Sequence, residues 1–394
     1  MIVGVPVERD PQERRVALVP AVVGSLAKAG LDVHVEPGAG EKAGFPDAAY
    51  QEQGARLASD RTQLFSLADV LLRVHGWGAD PAGHAELELL RSGQVVIGLL
   101  DPLGAPEAAR ELAGTGVTAF ALELLPRISR AQPMDALSAM ATVAGYKAAL
   151  LAAAALSKMY PMMITAAGTI TPARVFVVGA GVAGLQAIAT SRRLGAVVRS
   201  YDIRPAVKEQ VESLGAKFVE LELETEGAEG AGGYAKEMGD EFYRRQRAVM
   251  AQVVAESDVV ITTAAVPGKS APILVTEEMV RKMAPGSIIV DLAAEGGGNC
   301  ELTRPGETLE AHGVTILGPV NLPSTIPYHA SQMYARNVAA FLQNLVKSGE
   351  LGLDFEDPIL QDTLLTYQGE VVNPRVRELL GLSPSAPSTA ERSS

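Results

Sequence analysis

The sequence predicts an α/β protein with two doubly wound domains, each built on a parallel β-sheet, and three observations support this fold class. Short apolar runs alternate with helical patterns along most of the chain, which is typical of βαβ units whose helices cover both faces of a sheet. A glycine-rich segment at 179–184 stands between a predicted strand and a predicted helix, as at the first turn of a Rossmann-like domain. The chain has 394 residues, 47% of them hydrophobic, which is enough for two domains with separate cores.

The first third of the chain carries one series of alternating elements. Short runs rich in β-branched residues predict strands, and longer segments with helical spacing predict helices. The strands are expected at Ile2–Val5, Leu31–Glu36, Val70–Val74, Val95–Leu100 and Val117–Leu122, and the helices at Pro20–Ala29, Ala85–Arg91 and Pro106–Ala113. A charged loop, Arg127–Asp135, and an alanine-rich helical segment, Leu137–Met159, then lead into a second series.

The second series begins with RVFVVGAGVAG at 174–184, where a β-rich run leads directly into G-x-G-x-x-G spacing. Gly179 is expected to make the tight turn, Gly181 to leave room for a pyrophosphate, and Gly184 to let the next helix lie close to the sheet. That helix, Val182–Leu194, would direct its free N–H groups and positive dipole end at the phosphates. This arrangement predicts a dinucleotide-binding site.

An acidic residue after the next strand bears on which dinucleotide binds. The strand Val197–Tyr201 ends at Asp202, at the distance from the glycines where an acid hydrogen-bonds the ribose hydroxyls. A carboxylate there repels a 2′-phosphate, which favours NAD(H) over NADP(H). Arg204 is the alternative signal, because an arginine at this place can receive a 2′-phosphate. We interpret Arg204 instead as a solvated arginine at a helix start.

The alternation then continues and returns to the first domain. Strands are expected at Lys217–Val219, Val259–Thr263, Ser287–Asp291 and Val314–Leu317, followed by a crossover at Asn321–Pro327 and a helix at Ser331–Lys347. The predicted organisation is an N-terminal α/β domain of residues 1–136 and 326–385, a nucleotide-binding domain of residues 137–325, and a disordered Pro/Ser-rich tail at 386–394.

Composition narrows the possible functions. A net charge of −12 argues against binding to nucleic acid or to an anionic membrane surface, because the chain has no basic surplus. A single cysteine, Cys300, excludes an intrachain disulfide framework, and the histidines show no metal-ligand spacing. The N-terminus lacks a secretion signal, and the apolar stretch Ala148–Ile170 is interrupted by Lys158 and Pro161, so a cytoplasmic protein is expected.

One acidic insertion stands out in the second series, at Glu220–Glu241, with eight acids against one lysine. Its charge repulsion and its glycines predict a mobile surface loop. Tyr234 in this loop is a candidate tip that closes over bound nucleotide, and a solvated linker is the alternative on the residues alone.

Long stretches of the chain resemble the NAD(H)-binding subunit of proton-translocating nicotinamide nucleotide transhydrogenase. They are the glycine fingerprint with its flanks, VPVERDPQERRVALVP at 5–20, PRISRAQPMD at 126–135, TAAGT at 165–169, RLGAVV at 193–198, KEQVESLGAKF at 208–218, GGYAKEMG at 232–239 and ITTAAVPGKSAP at 261–272. The resemblance covers nearly the whole chain, and its uninterrupted matches make it specific.

The resemblance implies reversible hydride exchange between NAD(H) held here and NADP(H) held by a partner beta subunit. It further implies a membrane domain that couples this exchange to proton translocation, a homodimer, and attachment to the inner face of the cell membrane through the complex. The residues expected to bind the coenzyme are Gly179, Gly181, Val182, Ala183, Gly184, Asp202, Ile203, Arg204, Tyr234, Ala264 and Ala265.

The loop at 127–138 is expected to hold the nicotinamide end. Hydride transfer between two nicotinamides needs close alignment of the two C4 atoms and no acid–base residue. Gln132 can donate and accept hydrogen bonds at the same time, and Ser138 can hydrogen-bond the carboxamide. Arg127 can bind a phosphate or pair with Asp135. The resemblance implies that these four residues clamp the nicotinamide.

Alanine dehydrogenase shares this architecture and is the rival interpretation, beside an inert NAD-binding module. In that enzyme an arginine and a lysine hold the substrate carboxylate, a histidine transfers the proton and an aspartate assists. This chain keeps the arginine as Arg15 but places His75, Asp101 and Glu295 at the other three positions. Amino-acid oxidation needs a base during hydride loss, which these residues would serve poorly.

Overall fold

A computed structural model describes residues 1–220, 240–265, 268–347 and 349–383. The chain divides into two compact units. The first unit comprises Met1–Met140 and Ser324–Ser394, and the second comprises Ala141–Pro323. Tyr234 and most of the acidic insertion lie outside the described residues, as does the tail from 384 onward.

The β-strands of the described residues are β1 (Ile2–Val5), β2 (Asp32–Val35), β3 (Arg56–Leu57), β4 (Val70–His75), β5 (Val95–Leu99), β6 (Thr118–Ala121), β7 (Met163–Thr165), β8 (Gly168–Ile170), β9 (Arg174–Val178), β10 (Val197–Tyr201), β11 (Lys217–Phe218), β12 (Val259–Thr262), β13 (Ile288–Asp291), β14 (Thr308–Ala311), β15 (Val314–Leu317), β16 (Val346–Lys347), β17 (Glu350–Leu351), β18 (Leu364–Tyr367) and β19 (Glu370–Val371).

The α-helices are α1 (Pro20–Lys28), α2 (Asp47–Glu52), α3 (Arg61–Leu67), α4 (Pro106–Gly114), α5 (Ala136–Ala155), α6 (Val182–Arg193), α7 (Lys208–Ser213), α8 (Asp240–Ala255), α9 (Glu277–Lys282), α10 (Pro327–Leu345), α11 (Pro358–Thr363) and α12 (Pro374–Leu379). Short 3₁₀-helices occupy Glu41–Ala43, Pro81–Leu89, Leu122–Leu124, Ser129–Met134, Pro205–Val207, Ala294–Gly296 and Leu322–Thr325.

The first unit is built on a mixed sheet of order β19-β18-β6-β5-β4-β1-β2-β3. The strands from β6 to β3 pair in parallel, whereas β18 and β19 add an antiparallel edge. The side chains that follow β1, β4, β5 and β6 therefore meet at one edge of the sheet, because parallel strands end on the same side.

The second unit has the order β11-β10-β9-β12-β13-β15-β14, parallel except for β14. Alternate residues of β9 enter two different cores: Val175 and Val177 face one, and Phe176 and Val178 face the other. A sheet covered on both faces has strands that are apolar at every position. The expected α/β fold with doubly wound, parallel-rich sheets is confirmed.

The chain winds outward from β9 in both directions, to β10 on one side and to β12 on the other. Ligands of open α/β sheets bind outside the carboxyl ends of the strands at such a switch point. The fold therefore predicts a ligand-binding site at the residues that follow β9 and β12.

Several predicted elements differ from the structure. The helix expected at Ser331–Lys347 is α10 at Pro327–Leu345, and the loop expected at Arg127–Asp135 contains the 3₁₀-helix Ser129–Met134. The helix expected at Ala85–Arg91 is a 3₁₀-helix at Pro81–Leu89. There the fully buried Glu86 pairs with Arg9, Arg61 and Arg73, so a tertiary ion network determines the backbone of this segment.

The alanine-rich helix ends at Ala155 instead of Met159, and an antiparallel hairpin of β7 and β8 follows it. Pro161, which lies between helix and hairpin, has no N–H to continue a helix. Among the described residues α5 is the helix with the length and hydropathy of a membrane span, with a mean hydropathy of 1.4. Ala148, Ala149 and Ala152 of α5 lie in the core of the second unit.

Candidate functional site

The turn after β9 depends on two glycines that leave no room for a side chain. Gly179 has φ +97°, and a Cβ there would lie 2.4 Å from Thr263 Oγ1. A Cβ on Gly184, in the first turn of α6, would lie 1.9 Å from the Gly179 carbonyl oxygen. Both positions therefore require glycine, one for a left-handed turn and one for the close approach of helix and turn.

Gly181 lies between them and has different surroundings. A Cβ built there meets no atom within 4 Å, so the space above this residue is open. Gly181 is also the N-cap of α6 and supplies no side-chain cap. The N–H groups of the first turn, including those of Val182 and Ala183, thus have no acceptor within the helix. They lie at the positive end of the helix dipole. The arrangement suits an anion such as a pyrophosphate.

Asp202 follows β10 and lies beside the glycine turn. Its side chain accepts a hydrogen bond of 2.7 Å from the Ala180 N–H, and the residue is only 7% exposed. Arg204 forks onto the same carboxylate, with Nε 2.9 Å from Oδ1 and an Nη2 2.8 Å from Oδ2. The interpretation of Arg204 as a solvated arginine is therefore wrong, because the buried carboxylate orders it. Ile203, between the two, is largely buried.

The segment after β12 lies against the same turn. Thr263 donates from Oγ1 toward the carbonyl oxygens of Val178 and Gly179, at 3.3 and 3.2 Å. Ala264 is partly buried and Ala265 is exposed. Thr263 is not among the residues predicted from the sequence. The signal for Thr263 is a hydroxyl at the end of a strand that lies next to the glycine turn. The sequence does not give this signal, because it does not show which strands are neighbours.

The four residues of the predicted nicotinamide clamp belong to the first unit, whereas the glycine turn belongs to the second. Arg127 and Gln132 are exposed. Asp135 accepts from the backbone N–H and the hydroxyl of Ser138, at 2.8 and 2.6 Å, and so orders the first turn of α5. Asp135 and Ser138 therefore form a local brace, which presents Gln132 from an ordered backbone.

The loop that carries Gln132 is anchored on both sides. Ala131 and Met134 are buried, and Asn337 of α10 donates a 2.8 Å hydrogen bond to the Pro133 carbonyl. Arg130 pairs with Asp357, Nη1 to Oδ2 3.0 Å. An exposed amide on a tethered loop can hold a ligand in one orientation, which a freely moving loop cannot do.

The residues compared with alanine dehydrogenase are engaged with the protein itself. Arg15 is 3% exposed and forks onto Glu13, Nε to Oε1 2.8 Å and Nη2 to Oε2 2.7 Å. Its Nη2 lies 3.1 Å from His75 Nε2. Burial, and then the neighbouring Arg15 charge, lower the pKa of His75, so its ring is neutral at physiological pH. Glu295, in the second unit, accepts from the Asn321 N–H at 2.7 Å.

Glu123 is a partly buried residue whose carboxyl lies at the same edge of the first sheet as His75. Its Oε1 accepts from the N–H groups of Leu100 and Asp101, at 2.7 and 2.5 Å. Its Oε2 is buried and, within the described ranges, has no hydrogen-bond partner. Burial raises the pKa of Glu123 to about 7, which the backbone hydrogen bonds oppose. The carboxyl therefore exists as both acid and carboxylate near neutral pH.

Comparison with known protein families places both units. The N-terminal domain family of alanine dehydrogenase/PNT matches residues 4–144, and the corresponding C-terminal domain family matches residues 148–374. The two matches together cover nearly all of the described chain.

Relatives that match along most of the chain separate two branches by sequence identity. Over 377 residues the chain is 47% identical to an NAD(P) transhydrogenase subunit alpha polypeptide of Rhodospirillum rubrum, covering 95% of this chain and 98% of that protein. It is 42% identical to the transhydrogenase subunit alpha of Haemophilus influenzae, covering 95% of this chain and 72% of the relative. Identity to alanine dehydrogenase of Bacillus subtilis is 30%, covering 97% of this chain and 95% of that enzyme.

Solved structures resemble the whole fold. The transhydrogenase from Sinorhizobium meliloti superposes with a TM-score of 0.84 at 46% identity, covering 94% of this chain and 100% of that one. An L-alanine dehydrogenase gives a TM-score of 0.81 at 28% identity, covering 97% and 99%. The backbone thus resembles both enzymes.

Glu123→Gln is expected to remove a pH dependence of stability. Folded Glu123 keeps its proton up to about pH 7, whereas in the unfolded chain it loses the proton near 4.5. The stability from this proton is present at low pH and is lost as pH rises toward neutrality. As the pH is raised from about 5.5 to about 8, the unmodified chain should lose about 2 kcal/mol of unfolding free energy that the variant does not lose. Urea unfolding at the two pH values measures this difference.

The exposed Glu52 of α2 supplies the matched control, since Glu52→Gln should leave the difference between the two pH values unchanged. A Glu123→Gln variant whose stability follows that of the unmodified chain in parallel across this range would contradict the buried-acid assignment.

Proposed function

Because the chain belongs to the alanine dehydrogenase/PNT family and is more similar to transhydrogenase alpha subunits than to alanine dehydrogenase, we propose that it binds NAD(H) and exchanges hydride with NADP(H) on a partner subunit. The reaction is that of a Re/Si-specific, proton-translocating NAD(P)⁺ transhydrogenase. The observation that carries the proposal is the open space above Gly181 at the N-terminus of α6, beside Asp202.

The coenzyme on this chain is proposed to be NAD(H). Pyrophosphate would bind at the first turn of α6, through the N–H groups of Val182, Ala183 and Gly184. Asp202 would receive the ribose hydroxyls and repel a 2′-phosphate. The Arg204 guanidinium forks onto Asp202, so its Nε and Nη2 are engaged there and are not directed at a 2′-phosphate. Ile203, Ala264, Ala265 and Tyr234 are proposed to complete the nucleotide site, Tyr234 from outside the described residues.

The proposed catalytic step depends on position alone. A hydride moves between two nicotinamide C4 atoms without proton transfer at a heteroatom, so this chain must hold the ring and expose one face of it. Gln132 is proposed to hold the carboxamide, aided by Arg127 and by the Asp135–Ser138 brace. The anchored loop supports this role because its backbone is ordered while Gln132 remains exposed.

The names of the relatives support a proposal about partners. They are named as subunits, which supports an assembly with an NADP(H)-binding beta subunit and a membrane domain that translocates protons. We propose that this chain is a homodimer on the cytoplasmic side, attached to the inner face of the cell membrane through that complex.

Amino-acid oxidation is the second candidate, because the backbone fits alanine dehydrogenase. The side chains oppose it: Arg15 forks onto Glu13, and His75 is a neutral ring where a lysine would hold a carboxylate. An inert NAD-binding module is the third candidate.

One assay distinguishes the three functions. The purified chain is mixed with NADH, an oxidised NADP analogue and the cognate NADP(H)-binding subunit, and a parallel reaction contains NADH, pyruvate and ammonium. Rapid turnover only in the first reaction supports the proposal. NADH loss in the second would show an amino-acid dehydrogenase, and no turnover in either would show an inert module.

Gln132→Asn is expected to slow hydride transfer far more than it weakens NADH binding. The shorter side chain withdraws the amide by about 1 Å, and a misplacement of that size costs up to about 100-fold in rate. Stopped-flow transfer to the NADP analogue gives the rate, and NADH fluorescence gives the dissociation constant, which should change about twofold at most. Gln51→Asn, at an exposed position of α2, should alter neither. Equal losses in rate and affinity would contradict the positioning role.

Gly181→Ala and Gly184→Ala are expected to separate binding from folding. The added methyl of Gly181→Ala enters the open space, so NADH affinity should fall about tenfold or more while the unfolding temperature stays unchanged. The methyl of Gly184→Ala would meet the Gly179 carbonyl, which should cost about 1–3 kcal/mol of stability. Gly24→Ala, in an open position of α1, is the control for an added methyl. Unchanged affinity in Gly181→Ala would refute the pyrophosphate assignment.

A further inference from the structure

Asn299 is a fully buried amide that holds the backbone of a proposed coenzyme contact. Its Oδ1 accepts from the Ala264 N–H at 2.9 Å, and its Nδ2 donates to the Ala264 carbonyl at 2.8 Å. The same Nδ2 donates to the Pro272 carbonyl at 2.9 Å. One side chain thus satisfies both backbone groups of Ala264, as a neighbouring strand would do.

Ala264 needs such a partner because it lies past the end of β12. The parallel pairing of β12 with β13 ends at Thr262 opposite Asp291. Beyond that point the backbone would have to bond to water or to a side chain. Asn299 supplies the bonds from a position that is 0% exposed, whereas Ala264 is partly exposed.

Asp291 holds Asn299 in place from the end of β13. Its fully buried carboxylate accepts from the backbone N–H groups of Asn299 and Cys300, at 2.7 and 2.9 Å. The hydroxyls of Thr262 and Thr303 donate to it as well, at 2.8 and 2.7 Å. These charge-assisted hydrogen bonds hold the loop that carries Asn299 against the end of β13.

The same backbone segment reaches the glycine turn. Thr263 bonds to the carbonyls of Val178 and Gly179, and a Cβ on Gly179 would lie 3.4 Å from the Ala264 nitrogen. Hydrogen bonds connect Asp291 to Asn299, Asn299 to Ala264, and Thr263, the residue before Ala264, to the turn after β9, all within the second unit.

We propose that Asn299 is a positioning residue for NAD(H), which sets coenzyme affinity by fixing Ala264 beside the glycine turn. It is buried below Ala264 and acts through that backbone. The inference rests on the proposed function, since it presupposes that the glycine turn binds NAD(H).

The test compares NADH affinity with stability in Asn299→Asp. Aspartate has the same size but would direct an oxygen at the Ala264 and Pro272 carbonyls, where the amide donates now. The NADH dissociation constant, measured by fluorescence titration well below the unfolding temperature, should rise about tenfold or more. A purely structural role would lower the unfolding temperature and leave this constant unchanged.

Two further variants keep the test decisive. Asn373→Asp, in the first unit, alters a buried amide whose Nδ2 donates to the Asp362 carbonyl at 2.9 Å, and it should lower stability without changing NADH affinity. Thr263→Val has the same shape but lacks the hydroxyl that bonds the turn, so it should weaken NADH binding even where Asn299→Asp does not fold.

The outcomes separate the positioning role from the proposed function. Wild-type chain that binds NADH, with affinity unchanged in folded Asn299→Asp, or unchanged in Thr263→Val where Asn299→Asp does not fold, would overturn the positioning role alone. Wild-type chain that binds no NADH would overturn the proposed function and this inference with it.

Discussion

The contact between the first turn of α6 and the Gly179 carbonyl is the constraint on which the second unit depends. A methyl group on Gly184 would come within 1.9 Å of that oxygen, so helix and turn touch backbone to backbone. Gly145 of α5 makes a similar approach from elsewhere in the unit, where a Cβ would lie 2.0 Å from the Ala183 carbonyl. The N-terminus of α6 is therefore held by backbone contacts, which leave its N–H groups directed at the open space above Gly181.

The first unit uses its carboxyl edge differently. Arg73 is buried in β4 and pairs with Glu86, and Glu8 lies within 3.5 Å of the same guanidinium. Burial raises the pKa of Glu8, which that positive charge opposes. An α/β domain commonly binds its ligand at this edge of the sheet. In the first unit, the charged groups there are paired with one another, as they are in the Arg15–Glu13 fork. Such pairs stabilise a protein little relative to apolar residues, but removing one partner is costly because the other charge stays buried.

The features that the sequence predicts well are those that a short stretch determines by itself. Strands such as β1, β9 and β10 match their predicted bounds. A run of β-branched residues between turn residues predicts a strand without information from distant parts of the chain. The spacing also predicts a crowded Gly179, an open Gly181 and a crowded Gly184, and the structure shows those surroundings. What the sequence predicts poorly depends on partners far along the chain or hidden from solvent. Arg204 looks solvated until Asp202 is seen to be buried beside it, and Asn299 gives no local signal, since its importance lies in the one backbone residue that it holds.

These observations together suit the proposed function, in which the protein supplies geometry and the coenzymes supply the chemistry. At the positions compared with alanine dehydrogenase, Arg15 is paired with Glu13 and the pKa of His75 is lowered, so the two side chains would hold a substrate carboxylate poorly. The residues around the glycine turn are bound to one another, from Asp291 through Asn299 to Ala264. A hydride transfer without proton movement needs rigid placement and no titrating group, and rigid placement is what buried, fully bonded side chains provide.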